Sequence, residues 1–297
     1  MLEAYRLGAS LYVPVTHRDL LAIANGERWP NLRSVIFCTE DAVAPQALAA
    51  GLENLRLCLE GLRPCPGLMR FVRVRTPELI DWLLRLPGVE YLTGFVLPKF
   101  DLGNAERYLK RLNDSAHLYM PTLETRDAFE PMRMIALRDL LLERGYQARI
   151  LALRIGGNDL LALLRLRRPR DRTLYRTPLG QTISQLVTIF KPYGFELTAP
   201  VFEHLDLPEL LKKELQEDLA HGLCGKTAIH PSQVPLIEAA WQVASAELEV
   251  ARQILCESER AVFKLSGSMC ELATHRPWAE QILARSRSSM LGPELLD

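Results

Sequence analysis

The chain has 297 residues, 48% of them hydrophobic and 24% charged, with 36 basic side chains set against 36 acidic ones. That is the composition of a globular protein with a sizeable core, and an isoelectric point of 7.0 argues against the basic footprint of a general nucleic-acid binder or of a protein held on anionic lipid. Charged residues interrupt every apolar run before the ~20 residues of a membrane span, and the opening MLEAYRLGASLYVPV lacks the basic flank, apolar stretch and small-residue cleavage site of a secretion signal, so a cytoplasmic protein without membrane or nucleic-acid partners is expected.

Eight short runs rich in apolar and β-branched residues are predicted strands: 10–14, 34–39, 70–75, 94–98, 118–123, 150–155, 195–200 and 225–230. Segments with apolar residues at helical spacing separate them, at 44–62, 77–86, 104–112, 132–144, 180–193 and 207–221. Eight strands, each followed by a crossover, predict a (β/α)8 TIM barrel over residues 1–231, because an open doubly wound sheet more often has five to seven. After His230 the strand pattern stops. Residues 231–255 read as one long helix, 266–268 as a Gly/Ser turn and 277–287 as a further helix, so residues 232–297 are expected to form a C-terminal helical extension. The six cysteines are scattered with no C-x-x-C pair, which predicts reduced thiols and not a zinc site. An arginine-rich stretch at 165–176 reads as a solvated loop.

In a barrel of this kind the chemistry sits at the carboxyl ends of the strands. Glu40 and Asp41 follow the second run, Arg73 and Arg75 lie in the third, Lys99 follows the fourth, Glu124 the fifth, Asn158 and Asp159 the sixth, and His230 ends the eighth. Each alone is what begins a surface loop, but together they place ionisable groups on one rim. Arg73 is the sharper case: in Phe71-Val72-Arg73-Val74-Arg75 a residue sharing the face of Phe71 points inward, and a buried arginine needs an anionic partner or ligand. No G-x-G-x-x-G follows the first strand, and neither a phosphate-binding loop nor a G-x-S-x-G elbow is present, which disfavours nicotinamide, phosphate-loop and serine-hydrolase chemistry.

Several of these strings, in this order, resemble the citrate lyase beta-subunit group of the HpcH/HpaI aldolase superfamily. They are Leu11-Tyr12-Val13-Pro14, Val35 to Val43 (VIFCTEDAV), Val72-Arg73-Val74, Val96-Leu97-Pro98-Lys99, Pro121 to Thr125 (PTLET), Gly156 to Leu160 (GGNDL), the late Gly225-Lys226, Ile229-His230-Pro231 and Gln233, and the Gly267-Ser268-Met269 turn. The chain also resembles a divergent bacterial branch of C–C bond lyases associated with stress-response and tellurite-resistance gene clusters.

The resemblance implies a TIM barrel in a homo-oligomer, its C-terminal extension packed on a neighbouring subunit. It also implies one Mg2+ held by Glu124 and Asp159, with Arg73 gripping the oxygens of a carboxylate-bearing substrate. Two carboxylates suit Mg2+, which prefers oxygen and keeps several waters, and a metal and a guanidinium together stabilise the enolate formed beside a carbonyl. Glu40 and Asp41 match the family's acidic pair, which the resemblance implies supports the metal-water shell or orients Arg73, either in the chemistry or as structural partners of the arginine. Lys99 is either a rim cation toward substrate or a strand-end ion-pair partner, and His230 shapes the last turn or moves a proton. Departures from the pattern are Arg75, Asn158 and Arg126-Asp127. Arg75, Arg126 and the arginines of 165–176 leave room for a phosphate-bearing substrate. The expected activity is a Mg2+-dependent C–C bond lyase or aldolase acting on a small carboxylate, with CoA- and phosphate-linked forms left open. The alternatives are an acyl-CoA thioester hydrolase or synthase on the same site, and a catalytically weak binding or assembly subunit.

Overall fold

The computed structural model describes residues 4–29, 31–257 and 260–290. Eight parallel strands, β1 (Gly8–Pro14), β2 (Ser34–Cys38), β3 (Met69–Arg73), β4 (Gly94–Leu97), β5 (Leu118–Leu123), β6 (Leu153–Ile155), β7 (Leu197–Thr198) and β8 (Gly225–Ala228), stand in sequential order, with β8 against the free edge of β1. Backbone bonds from Cys224 N–H to the Leu197 carbonyl (2.9 Å) and from Ala199 N–H to the Gly225 carbonyl (2.7 Å) close the ring between β7 and β8. All eight predicted runs therefore become barrel strands. The shortest, β7, stops at Thr198, ahead of Pro200, which has no N–H to give a ladder.

Alternation along each strand divides the apolar residues into two layers. Ile36, Phe71, Val96 and Met120 fill the interior of the barrel, while Val35, Phe37, Val72, Phe95, Leu97 and Leu153 face the surrounding helices. Those helices are α1 (Leu20–Ala24), α2 (Leu48–Glu60), α3 (Pro77–Leu83), α4 (Ala105–Leu112), α5 (Pro131–Glu143), α6 (Gly157–Leu163), α7 (Pro178–Phe190), α8 (Pro208–Ala220) and α9 (Val234–Trp241). Proline opens α3, α5, α7 and α8, where its missing N–H removes nothing from the helix ladder. In α4 the buried Ala105, Tyr108, Leu109 and Leu112 form one stripe, with Glu106 in the first turn and Lys110 and Arg111 in the last, complementing the helix dipole.

The single helix expected over residues 231–255 is two. After a 3-10 turn at Pro231–Gln233, α9 ends at Trp241, Gln242 and Ala244 take extended backbone, and α10 runs over Ser245–Cys256. The two pieces bury against different partners. Trp241 is 1% exposed and donates its indole N–H to the Leu223 carbonyl (3.3 Å), and Glu238 accepts from Ala9 N–H (2.8 Å), so α9 packs on β1 and the start of β8. Barrel packing thus continues past residue 231, to Trp241.

A hairpin that the sequence did not predict follows α10. Strands β9 (Val262–Leu265) and β10 (Ser268–Glu271) pair antiparallel around Ser266 and Gly267, both left-handed at φ 50° and 84°, the backbone a two-residue hairpin turn requires. The last helix, α11 (Leu272–Met290), starts ahead of the expected residue 277 and carries Pro277 inside it. Ala251 and Ile254 of α10 meet Ala279 and Ile282 of α11 in a separate small core. The far end of α11 reaches the bottom of the barrel, where Arg33 donates to the Ser288 carbonyl (3.1 Å). Residues of the expected extension from 291 onward lie outside the described residues. Among the described residues no helix is long and apolar enough to cross a membrane.

Candidate active site

Arg73 ends β3 on the inner face, as the alternation with Phe71 predicts, and is 8% exposed. One of its terminal nitrogens reaches three carboxylates: Glu40 at 2.7 Å, Glu124 at 3.1 Å and Asp41 at 3.2 Å. Its Nε has no hydrogen-bond partner. The acids that follow β2 and β5 thus converge on one guanidinium from both sides. Burial works against the Arg73 charge, but Tyr12, Glu124 and Glu40 outweigh it and hold the group protonated above its ordinary range.

Lys99 ties the rim together in two ways. Its backbone is left-handed, φ 49°, a conformation that costs a residue with a Cβ of order 1–2 kcal/mol. That turn aims its N–H at Glu124 Oε1 (2.8 Å), and Asn104 secures the Lys99 carbonyl (2.7 Å). The ammonium meets Glu40 at 2.5 Å, Asp41 at 3.4 Å and Asp159 at 3.9 Å. Asp159, in the first turn of α6, is about one-third exposed at its side chain (32%), whereas Glu124 is 4% exposed.

Burial raises the Glu124 carboxyl. Arg73 and the Lys99 N–H pull it down, Asp159 and Glu40 push it up, and the balance leaves it at about 7. Burial, reinforced by Asp41, also raises Glu40 against the pull of Arg73 and Lys99. For Asp41 burial is outweighed by its bond to Glu40 and by the two cations, so its carboxyl is lowered.

The site opens into a cavity of 470 Å³ lined by Tyr12, Arg73, Thr122, Glu124, Arg154 and Asp159 among others. Glu124 and Asp159 thus face one space. Gly156 makes room for the first of them, since a Cβ there would stand 2.1 Å from Glu124 Oε2. Two hard-oxygen donors facing one cavity suit a small divalent cation that keeps several waters. Among the described residues no group of three or more His, Cys, Asp or Glu side chains that could hold a metal is present.

Other predicted positions lie apart. The Arg75 guanidinium donates to the carbonyls of Thr39 (3.0 Å), Glu40 (3.1 Å) and Val43 (2.8 Å), fixing the loop after β2 instead of facing the cavity. Exposed Arg126 stands on the outer rim beside Lys99 and Asp159, and its neighbour Asp127 pairs with Arg133 at 2.9 Å. Asn158 lines the cavity mouth. His230 is exposed and caps the turn after β8, its ring nitrogen accepting from Ser232 N–H at 3.2 Å. The stretch 165–176 is not a free basic cluster: Arg168 is fully buried against Glu214 (2.7 Å), Arg170 pairs with Asp206, and Arg172 with Asp171 (2.7 Å).

Tyr12, Thr122 and Arg154 were not singled out from the sequence. For Arg154 the signal was present, because Ala152-Leu153-Arg154-Ile155 interrupts an apolar strand with one basic residue just as β3 does.

A family description for C–C bond lyases of the TIM-barrel fold matches residues 1–289. A (3S)-malyl-CoA thioesterase from Cereibacter sphaeroides is 30% identical over 302 aligned residues, covering 96% of each chain. Among solved structures, CitE from Mycobacterium tuberculosis, in complex with magnesium, acetoacetate and coenzyme A, superposes with a TM-score of 0.68 at 22% identity, covering 95% of this chain and 99% of its own. A citrate lyase from Burkholderia xenovorans superposes at 0.76 with 16% identity, covering 96% and 92%.

Proposed function

We propose that this chain, which belongs to the C–C bond lyases of the TIM-barrel fold, is a Mg2+-dependent lyase or aldolase acting on a small carboxylate or its CoA thioester. The observation that carries the reading is that Glu124 and Asp159 face one cavity with Arg73 bonded to Glu124 at 3.1 Å. In support, CitE of M. tuberculosis was crystallised with magnesium, acetoacetate and coenzyme A.

Glu124 and Asp159 would hold the Mg2+, which when bound would supply Lewis-acid polarisation of a carbonyl next to the bond that breaks. Arg73 takes the substrate carboxylate and stabilises negative charge that develops on oxygen as that bond opens. Glu40, 2.7 Å from Arg73, and Asp41 fix the guanidinium so that it need not reorganise during the reaction. Lys99 holds Glu124 in place through its backbone and lends positive charge to the rim. The proposal places the enzyme in the cytoplasm as a homo-oligomer, the extension meeting a second copy through the hairpin. Val262 (51% exposed) and Met269 (73%) present apolar surface there, and light scattering of the purified chain tests it.

A second reading, hydrolysis of the thioester, is favoured by the relative that is a (3S)-malyl-CoA thioesterase. One experiment separates the two. With Mg2+ and malyl-CoA, a lyase releases acetyl-CoA and glyoxylate, whereas a thioesterase releases malate and free CoA thiol. Absence of both product pairs from folded wild-type protein would count against both activities on malyl-CoA.

A further inference from the structure

We propose that Arg154 is the centre of a second anion seat on the inner wall of the barrel, so that the acyl unit entering the cavity carries a free acid group beyond the one held at Arg73. The proposal rests on the lyase reading of the site and narrows its substrate class.

Arg154 is 2% exposed and lines the cavity, yet among the described residues no carboxylate lies within 4 Å of it. Its bonds are to Thr227 Oγ1 (2.5 Å) and, weakly, to Met120 sulfur (3.8 Å). A guanidinium has five N–H donors and stays charged, and burying such a charge without an anion is costly. The other buried arginines differ. Arg73, Arg168 and Arg33 have carboxylate partners, and Arg70 donates to the Arg63 carbonyl (2.7 Å) on the helix side of the wall. Arg154 alone among these combines a missing anion with a place on the cavity.

Its neighbours complete a cradle. Arg154 is in register with Thr122 of β5 on one side and Thr198 of β7 on the other. Both threonines are buried, and both hydroxyls lack a partner. Of the two, Thr122 lines the cavity, so the guanidinium and that unused hydroxyl together offer a carboxylate paired donors and an extra hydrogen bond. Tyr12 links the two arginines: the Arg73 guanidinium carbon lies 5.8 Å and that of Arg154 5.5 Å from the centre of its ring. The two guanidiniums thus flank one ring beside one cavity, and each takes an acid group of the same ligand.

The test is calorimetric titration of wild type, Arg154→Met and Arg154→Lys with L-malate and L-lactate, each with and without Mg2+. The two ligands share a 2-hydroxy acid end and differ by one distal carboxylate. Wild type is expected to prefer malate by at least about tenfold. Arg154→Met should lose that preference while its lactate affinity stays unchanged, and Arg154→Lys should keep part of it. A malate preference that survives in Arg154→Met, or no preference in wild type, overturns the seat. Lactate and Mg2+ titrations, with circular dichroism, show whether each variant is folded. If Mg2+ binds nowhere but malate still binds more tightly than lactate through Arg154, the lyase reading fails and the anion seat stands.

Discussion

The backbone N–H of Lys99 points at Glu124 because Lys99 is left-handed, at φ 49°, and the resulting bond is 2.8 Å. Strain in one residue is thereby used to position another. Replacing Lys99 by glycine keeps the N–H and relieves the Cβ clash, whereas alanine retains the strain and, like glycine, loses the ammonium. Lys99→Gly is expected to be more stable than Lys99→Ala by about 1 kcal/mol, measured by urea denaturation. Equal stability would mean that the left-handed turn stores no strain.

Glu124→Gln and Asp159→Asn are each expected to abolish Mg2+ binding, read by calorimetry, while circular dichroism and the unfolding midpoint show an intact barrel. Glu124→Gln should be no less stable than wild type without metal at about pH 8, since it removes a buried charge beside Asp159 and Glu40.

Without metal, Glu124 titrates at about 7 in the folded protein against 4.5 for the free side chain. The folded state therefore binds the proton more tightly, and the stability this contributes is fully present below pH 4.5 and lost as pH rises through about 7. Metal binding runs the other way, because Mg2+ must displace that proton. Thermal unfolding without metal should weaken from about pH 5 to 7.5 more in wild type than in Glu124→Gln, and Mg2+ affinity of wild type should rise over the same interval. A flat Mg2+ affinity would place the titration elsewhere.

The barrel was legible because all eight runs carry strand composition, and Arg73 because a single charge on an alternating strand has only one face to occupy. Arg154 carries the same signature, one basic residue in an apolar strand, but no second basic residue in its run marks the position as Arg75 does beside Arg73. Arg75 looked like a rim cation by its position, and only the structure shows it facing the Thr39, Glu40 and Val43 carbonyls. The hairpin escaped because its strands are four residues each with exposed faces, too short for alternation to register.

Arg75→Met is expected to destabilise the protein by ~1–3 kcal/mol, the penalty for leaving carbonyls without a donor. The loss should appear as a lower denaturation midpoint. Mg2+ affinity should be nearly unchanged, because Glu124 and Asp159 do not touch Arg75.

Lys226, which matches the late glycine-lysine signature, does not face the cavity. Its ammonium is fully buried behind the barrel wall between Glu214 (3.0 Å) and Asp218 (2.8 Å) of α8, and Glu214 also holds Arg168. Removing one member leaves charges stranded, so Lys226→Met should cost ~3–5 kcal/mol. Chemical denaturation reads this directly, and a loss below about 1 kcal/mol would show that the network rearranges freely.

The barrel's ring has a thin place. With only two residues in β7, the wall between β6 and β8 is joined by few backbone bonds, and such lightly bonded regions open first in local fluctuations. Arg154 on β6 reaches over that stretch to Thr227 on β8, like a clasp across a seam. An anion resting on Arg154 would draw both sides together, so amides of Ala199, Cys224 and Thr227 should exchange with solvent more slowly once the cavity is filled. Occupancy of the site would then be felt as tightness of the whole cylinder.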